Sequence, residues 1–133
     1  MRPFKVIRPT NEKEAMEQVS KGNASYLAAG TDLLNRIKEH VASPDSVVDL
    51  KSLPGMNTIE VTDQGIWIGA LVRLSAVSSH TDVLSRFPAV CETIIHAATP
   101  QIRNMATVGG NLCQKPRCWY LRHEGYSCVK NGV

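Results

Sequence analysis

The segment LAAGTDLL at residues 27–34 has the composition of a phosphate-binding loop. Ala28, Ala29 and Gly30 leave the backbone accessible to a ligand, and glycine tolerates positive φ. An apolar strand precedes these residues and helical spacing follows them, so free backbone N–H groups and the positive end of the helix dipole would point at one spot. We expect Thr31 to cap that helix and to offer its hydroxyl to a phosphate oxygen. A purely structural junction is the alternative, because the spacing matches neither G-x-G-x-x-G nor a P-loop.

A second segment, TVGGN at residues 107–111, places two consecutive glycines between a hydroxyl and an amide side chain. Consecutive N–H groups at such glycines can form an anion-binding nest, and Thr107 and Asn111 add hydrogen-bonding groups. A plain hairpin or bulge is the alternative. Two such loops in one short domain could clamp both phosphates of a dinucleotide. Arg103 could face the same anion or lie on the surface.

The elements before residue 54 must position the first loop. Strands are expected at residues 5–7, 26–28 and 47–50, and helices at residues 10–22 and 33–41. Thr10 or Asn11 would cap the first helix, since Asn11 and Glu14 have capping-box spacing. Strands alternating with helices are typical of parallel βαβ units.

The rest of the chain has a different pattern. Residues 58–69 predict a β-hairpin with its turn at residues 63–65, and helical patterns follow at residues 75–79, 81–86 and 88–98. The last of these is expected to bury Val90, Ile94 and Ile95. After residue 100 the chain is expected to be loop-like and rich in glycine.

Composition limits the function classes. Hydrophobic residues make up 43% and charged residues 20% of the 133 residues, which is typical of a globular domain and excludes a disordered polyelectrolyte or a coiled coil. No membrane-spanning run and no secretory signal are visible, so we expect a cytoplasmic protein, with export alongside a signal-bearing partner as the alternative.

The net charge of +3 comes from the residues after Cys113. Because basic and acidic residues are equal in number in the rest of the chain, a nucleic-acid partner is not expected. The basic tail is either an anion site or a solvated end.

Three of the four cysteines, Cys113, Cys118 and Cys128, fall in the last 21 residues. Without a secretory signal, a disulfide framework is not expected. Zinc could bind these thiols with His123, but there is no C-x-x-C pair and the spacings match no usual structural site. Cys91 lies in an apolar helix and is expected to be a core residue.

Both loops, in this order and with this spacing, resemble the FAD-binding subunit of the xanthine dehydrogenase / aldehyde oxidoreductase family of molybdenum hydroxylases. The matching segments are AGTDLL at residues 29–34, QIRN at residues 101–104 and TVGGNLC at residues 107–113. Many members have Gly-Gly where this chain has Ala29-Gly30.

The resemblance implies an α+β fold of two subdomains with FAD between them. Residues 1–53 would form a small α/β subdomain, and residues 54–133 would form an incomplete second subdomain, truncated at its C-terminus. It also implies that the two loops bind the FAD diphosphate. The residues that would carry this role are Leu27, Ala28, Ala29, Gly30, Thr31, Asp32, Leu33, Thr107, Gly109, Gly110 and Asn111.

The tail resembles an insertion in the 4-hydroxybenzoyl-CoA reductase branch of the family, where four cysteines hold a 4Fe-4S cluster. By this resemblance Cys118 and Cys128 match the first two ligands, the other two lie beyond Val133, and Cys113 is not a ligand. A cubane cluster needs four ligands, so this chain would not complete one alone.

The function implied is a FAD-binding electron-transfer subunit. It would receive electrons from a molybdenum-cofactor subunit through a 2Fe-2S subunit and pass them to an external acceptor. No acid–base constellation is evident, so no catalytic residue is assigned, and the chain by itself is expected to be inactive. A non-redox nucleotide- or phosphate-binding module and a zinc-dependent interaction domain are the alternatives.

Overall fold

The computed structural model describes residues 2–123, 125–126 and 128–129. Strands and helices are mixed, as expected. The strands are β1 (Lys5–Ile7), β2 (Ala24–Leu27), β3 (Ser46–Asp49), β4 (Ile59–Thr62) and β5 (Gly65–Ile68). The α-helices are α1 (Glu12–Ser20), α2 (Leu33–Lys38), α3 (Leu74–Ser79), α4 (Thr81–Arg86), α5 (Pro88–Ala97), α6 (Pro100–Arg103) and α7 (Val108–Leu112), and a 3-10 turn spans Leu50–Ser52.

The first three strands form a parallel sheet in the order β1–β3–β2, which confirms the predicted βαβ arrangement. The central strand is buried on both faces: Val47 packs with Leu27 and Ile37, whereas Val48 packs with Ala15. Since successive side chains of a strand point to opposite faces, α1 covers one face of the sheet and α2 covers the other. The carboxyl end of β2 leads directly into the first loop.

Helix α1 begins at a capping box. Asn11 is the cap, because its Oδ1 accepts a hydrogen bond from the Glu14 N–H at 2.9 Å. The Glu14 carboxylate in turn accepts from the Thr10 N–H at 2.7 Å and from the Thr10 hydroxyl at 2.9 Å. These hydrogen bonds, first from the Thr10 backbone and then from its hydroxyl, lower the pKa of Glu14.

The second half begins with the predicted hairpin, in which β4 pairs antiparallel with β5 from Ile59↔Ile68 to Thr62↔Gly65. Helices α3, α4 and α5 then pack around a core that includes Val77, Val83 and Cys91. The burial of Cys91 confirms its assignment to the core, and its thiol lies 3.8 Å from the Val77 carbonyl oxygen.

Two expectations for this half are wrong. On α5, Ile94 is buried with Cys91, but Val90 and Ile95 are 43% and 48% exposed. Cys91 and Ile94 are three residues apart and share one face, while Val90 and Ile95 lie to either side of it. The chain from residue 100 to residue 112 is also not loop-like, because Thr99 caps α6 and Thr107 caps α7, whereas the described residues after Leu112 form turns and irregular structure as expected.

Backbone hydrogen bonds bring α7 against the chain that follows the hairpin. The Leu74 N–H donates to the Ala106 carbonyl at 2.9 Å, the Val108 N–H donates to the Val72 carbonyl at 2.9 Å, and Arg73 pairs with Thr107 as an antiparallel bridge. This places residues 107–110 beside Ala70 and Leu71. The division of the chain at residue 53 stays a prediction. Among the described residues, every helix falls short of the length and apolarity that crossing a bilayer demands.

Candidate cofactor-binding site

The first loop turns sharply at Gly30 after β2 ends at the buried Leu27. Gly30 has φ of +84°, a conformation that residues with a side chain rarely adopt. A Cβ at this position would also lie 2.7 Å from Leu34 Cδ1 and 3.3 Å from Leu27 Cδ1. Glycine is therefore required here both by the turn and by the packing of the loop on its own helix.

The backbone amides of this loop are free. Among the described residues, no hydrogen bond reaches the N–H of Ala29, Gly30, Thr31 or Asp32. N–H groups at or just before the start of a helix have no partner within the helix, so these four amides are available to water or to the acceptor atoms of a ligand. The expected cap at Thr31 is wrong, because Asp32 occupies the N-cap position of α2 and neither residue caps with its side chain.

The second segment is the start of α7 and is neither a nest nor a hairpin. Its amides are already used: Gly109 N–H donates to the Ala70 carbonyl at 2.8 Å, Gly110 N–H to Thr107 Oγ1 at 3.2 Å, and Asn111 N–H to the Thr107 carbonyl at 2.8 Å. The expectation that amides of both loops converge on one phosphate group is therefore wrong for this segment. Thr107 acts as the helix cap by accepting a hydrogen bond from the Gly110 N–H with its hydroxyl oxygen, and its O–H group remains able to donate a hydrogen bond.

The two glycines instead allow close approach. A Cβ at Gly109 would lie 2.9 Å from the Ala70 Cβ, and one at Gly110 would lie 2.9 Å from Thr107 Oγ1 and 3.9 Å from the Ala28 Cβ. Gly109 thus lets α7 rest on Ala70, and Gly110 keeps open the gap between the two segments.

Both predicted segments line one cavity of about 450 Å³. Its wall includes residues 28–33 from the first loop together with Thr107, Gly109, Gly110, Ala70 and Leu71. Asn111 lines an adjacent cavity of about 620 Å³ instead, together with Thr31, Asp32 and Gly110. A third cavity, of about 300 Å³, shares Ala29, Leu71 and Thr107 with the first. The structure therefore brings the two segments together, with space on either side.

Basic side chains stand around these cavities. Lys51 and Arg73 line the third cavity, and Lys115 and Arg117 line the second. Lys51 is paired with Asp49 at 2.9 Å, while the described residues offer the Arg73 guanidinium no partner. This positive surrounding favours an anionic ligand.

Arg103 does not face this site. Its guanidinium donates to the carbonyls of Ile95 and Ala98, at the end of α5. The side chain therefore satisfies carbonyl groups that the helix leaves unpaired.

Asp32 has an unexpected role. Its Oδ1 is 2.6 Å from Arg122 Nη2 and its Oδ2 accepts from the Lys115 N–H at 3.2 Å. Sequence reasoning placed Asp32 at the cofactor but missed Arg122, because ninety residues separate the two and no local pattern connects them.

Within the part of the tail that the structure describes, the cysteines do not form a metal site. Cys113 and Cys118 are exposed and Cys128 is half-buried, all as free thiols. The described part of the chain contains no cluster of three or more histidine, cysteine, aspartate or glutamate side chains that could hold a metal ion. The zinc alternative, which needs these three thiols beside His123, is therefore not supported.

The family model for the FAD binding domain in molybdopterin dehydrogenase matches residues 2–118 of this chain. The chain belongs to this family of FAD-binding domains. The matched residues include both segments and the whole of the central cavity. The family prediction is thereby confirmed, and so is FAD as the cofactor.

Relatives of this FAD-binding domain are parts of oxidoreductases. The aldehyde oxidoreductase FAD-binding subunit PaoB of Escherichia coli K12 is 34% identical over 132 residues, covering 98% of this chain and 41% of that protein. The nicotinate dehydrogenase FAD-subunit of Eubacterium barkeri is 33% identical, over 84% of this chain and 39% of that protein. The chain thus spans about two fifths of the length of these relatives.

Solved structures confirm the fold of the FAD-binding domain. A chain of the reconstituted CO dehydrogenase from Oligotropha carboxidovorans matches with a TM-score of 0.78 and 30% identity, covering 83% of this chain and 39% of that one. Which atoms of the domain contact FAD stays a prediction.

Proposed function

We propose that this chain is the FAD-binding part of an electron-transfer subunit in a molybdenum-containing hydroxylase or dehydrogenase complex. The proposed partners are a subunit with the molybdenum cofactor and a subunit with 2Fe-2S clusters, and the proposed electron path runs through them to FAD and an external acceptor. Family membership and the names of the relatives, an aldehyde oxidoreductase and a nicotinate dehydrogenase, support this assignment. FAD supplies the redox chemistry when bound, while the protein binds and orients it.

The four free amides at residues 29–32 are the observation that carries the proposal. They lie in a loop of small residues that lines the central cavity, and a diphosphate is an acceptor that would satisfy them. The residues present therefore fit FAD. In this proposal the first loop, from Leu27 to Leu33, supplies the hydrogen bonds to phosphate.

The second segment has a different proposed role from the first. With its amides already bonded inside the protein, it contributes a wall without side chains at Gly109 and Gly110, fixed by the Thr107 cap. Asn111 would contact the part of the dinucleotide that extends into the adjacent cavity of about 620 Å³. The cavities on both sides of the central one would accommodate the two ends of an extended dinucleotide, between the subdomains at residues 1–53 and 54–133.

For the tail we propose that Cys118 and Cys128 supply two of the four ligands of a 4Fe-4S cluster in a longer protein. Both thiols are free and neither is fully buried, so each is available to a metal. The described residues alone do not complete a cluster, which requires four ligands.

Ligand titration of the purified chain tests the flavin proposal. We expect the quenching of FAD fluorescence and the shift of Tm to show binding of FAD, with FMN weaker because it has one phosphate and no adenosine. Stabilisation by ADP and NAD without stabilisation by FAD would refute the proposal and favour the non-redox nucleotide module.

A further inference from the structure

Asp32 presents an electrostatic problem at the proposed FAD site. Its N–H is one of the four free amides, and its side chain is only 17% exposed. A carboxylate in this position would repel the phosphates that the neighbouring amides bind, unless a cation neutralises it. The loop therefore needs a positive partner for Asp32 that does not itself depend on the ligand.

We propose that Arg122 is a positioning residue that makes the first loop competent to bind a diphosphate, by orienting Asp32 and neutralising its charge. Arg122 lies in the tail, outside the matched family segment at residues 2–118. This inference rests on the proposed function, because it assigns to the tail a role in FAD binding.

The geometry around Arg122 is specific. Its side chain is 12% exposed, and the guanidinium reaches two carboxylates, with Nη2 2.6 Å from Asp32 Oδ1 and Nη1 3.1 Å from Glu39 Oε2. The same side chain also donates to two carbonyls of its own segment, from Nε to Pro116 at 3.0 Å and from Nη2 to Lys115 at 3.2 Å. Arginine presents its donors in a rigid planar fork, so four contacts fix its position well.

The tail is folded around this side chain. The N–H groups of Leu121 and Arg122 donate to the Cys118 carbonyl at 3.1 and 3.0 Å, which closes a turn, and Leu121 is buried. The Lys115 N–H donates to the second oxygen of Asp32. Residues 115–122 thus contact the first loop through both oxygens of the Asp32 carboxylate, and of these two contacts the one from Arg122 carries a positive charge.

Arg36 does not replace this partner. Its Nη1 is 4.0 Å from Asp32 Oδ2, at the limit of an ion pair, whereas the Arg122 contact is a short charge-assisted hydrogen bond. Removing Arg122 would therefore leave Asp32 poorly neutralised and free to rotate beside the phosphates.

Amide hydrogen exchange of the ligand-free chain tests the positioning directly. We expect Arg122→Ala to increase exchange in residues 29–33, Arg122→Lys to increase it less, and α5 to stay protected in both. Arg86→Ala is the matched control, since Arg86 also bridges two segments, by donating to the Thr62 carbonyl at 2.9 Å, but does so away from the loop. Unchanged exchange at residues 29–33 in Arg122→Ala would overturn the inference.

FAD titration of the same variants tests the electrostatic part. We expect Arg122→Ala to raise the Kd for FAD roughly tenfold, the effect of one charge-assisted hydrogen bond, and the double variant Asp32→Asn/Arg122→Ala to recover much of that loss. A purely structural role would not give this recovery. Wild-type protein that is stabilised by ADP and NAD but not by FAD would refute the proposed function, while the exchange result would still decide the role of Arg122.

Discussion

We expect the substitution Gly110→Ala to weaken FAD binding at the proposed site while it changes the stability of the protein little. The added Cβ would lie 2.9 Å from Thr107 Oγ1 and 3.9 Å from the Ala28 Cβ, where the two segments approach each other. Within α7, alanine is favoured over glycine by about 0.5–1 kcal/mol. Displacing the Thr107 cap costs about 1 kcal/mol in the opposite direction. The two effects nearly cancel, so we expect the free energy of unfolding to change by less than about 1 kcal/mol.

Affinity for FAD should respond much more than stability. The methyl group narrows the central cavity where the dinucleotide would pass between Ala28 and α7. If it displaces the diphosphate enough to break one charge-assisted hydrogen bond to the first loop, the Kd rises about tenfold or more. Fluorescence titration with FAD measures the Kd, and urea unfolding measures the stability of the same variant.

Gly65→Ala is the matched control for this variant. A Cβ at Gly65, in the hairpin of β4 and β5, would meet nothing within 4 Å, and Gly65 is not among the residues that line the three cavities. A folded Gly110→Ala variant with the FAD affinity of the wild type would refute the placement of the dinucleotide between the two segments.

Three further predictions follow from other contacts. Gly109→Ala should lower Tm in thermal unfolding, because its Cβ would lie 2.9 Å from the Cβ and 3.0 Å from the carbonyl oxygen of Ala70; an unchanged Tm would contradict this packing. The pKa of Glu14 is lower in the folded state than its ordinary value of 4.5. The ionised Glu14 side chain therefore stabilises the folded protein above pH 4.5, and this stabilisation is lost as the pH falls through the pKa of the folded state. Urea unfolding from neutral to acid pH should therefore show a weaker acid dependence for Glu14→Gln than for the wild type, and equal slopes would contradict it. In a longer protein reconstituted with iron and sulfide, Cys118→Ser and Cys128→Ser should each lower the iron content, whereas retention of all iron would exclude these ligands.

Local sequence patterns were sufficient to predict much of the fold. The parallel βαβ unit, the hairpin and helices α3 to α5 are encoded by apolar periodicity and turn residues that lie close together in sequence. The same local information misjudged α5, where Val90 and Ile95 are as apolar as Ile94 but lie at the edges of the buried face and are partly exposed. Which face of a helix is buried depends on its neighbours, and a single segment does not specify them.

The site shows the same limit. Sequence located both segments and indicated phosphate, but it treated their glycines as equivalent. Gly30 has positive φ in a loop with free amides, whereas Gly110 lies in a helix whose amides are bonded internally. Two glycine-bearing segments of similar composition thus differ in whether their N–H groups are hydrogen-bonded within the protein, which depends on the acceptor that the fold places beside each N–H.

The sequence by itself determined the order of the elements and the small residues that leave a backbone accessible, since both are properties of neighbouring residues, and the order and spacing of its two loops indicated the family. Only the tertiary structure decided that Asp32 is held by Arg122 and that the Gly109 N–H is bonded to the Ala70 carbonyl. Hydrogen bonds and ion pairs between distant segments require positions fixed to within a few tenths of an ångström, and these positions arise only when sheet, helices and tail pack together.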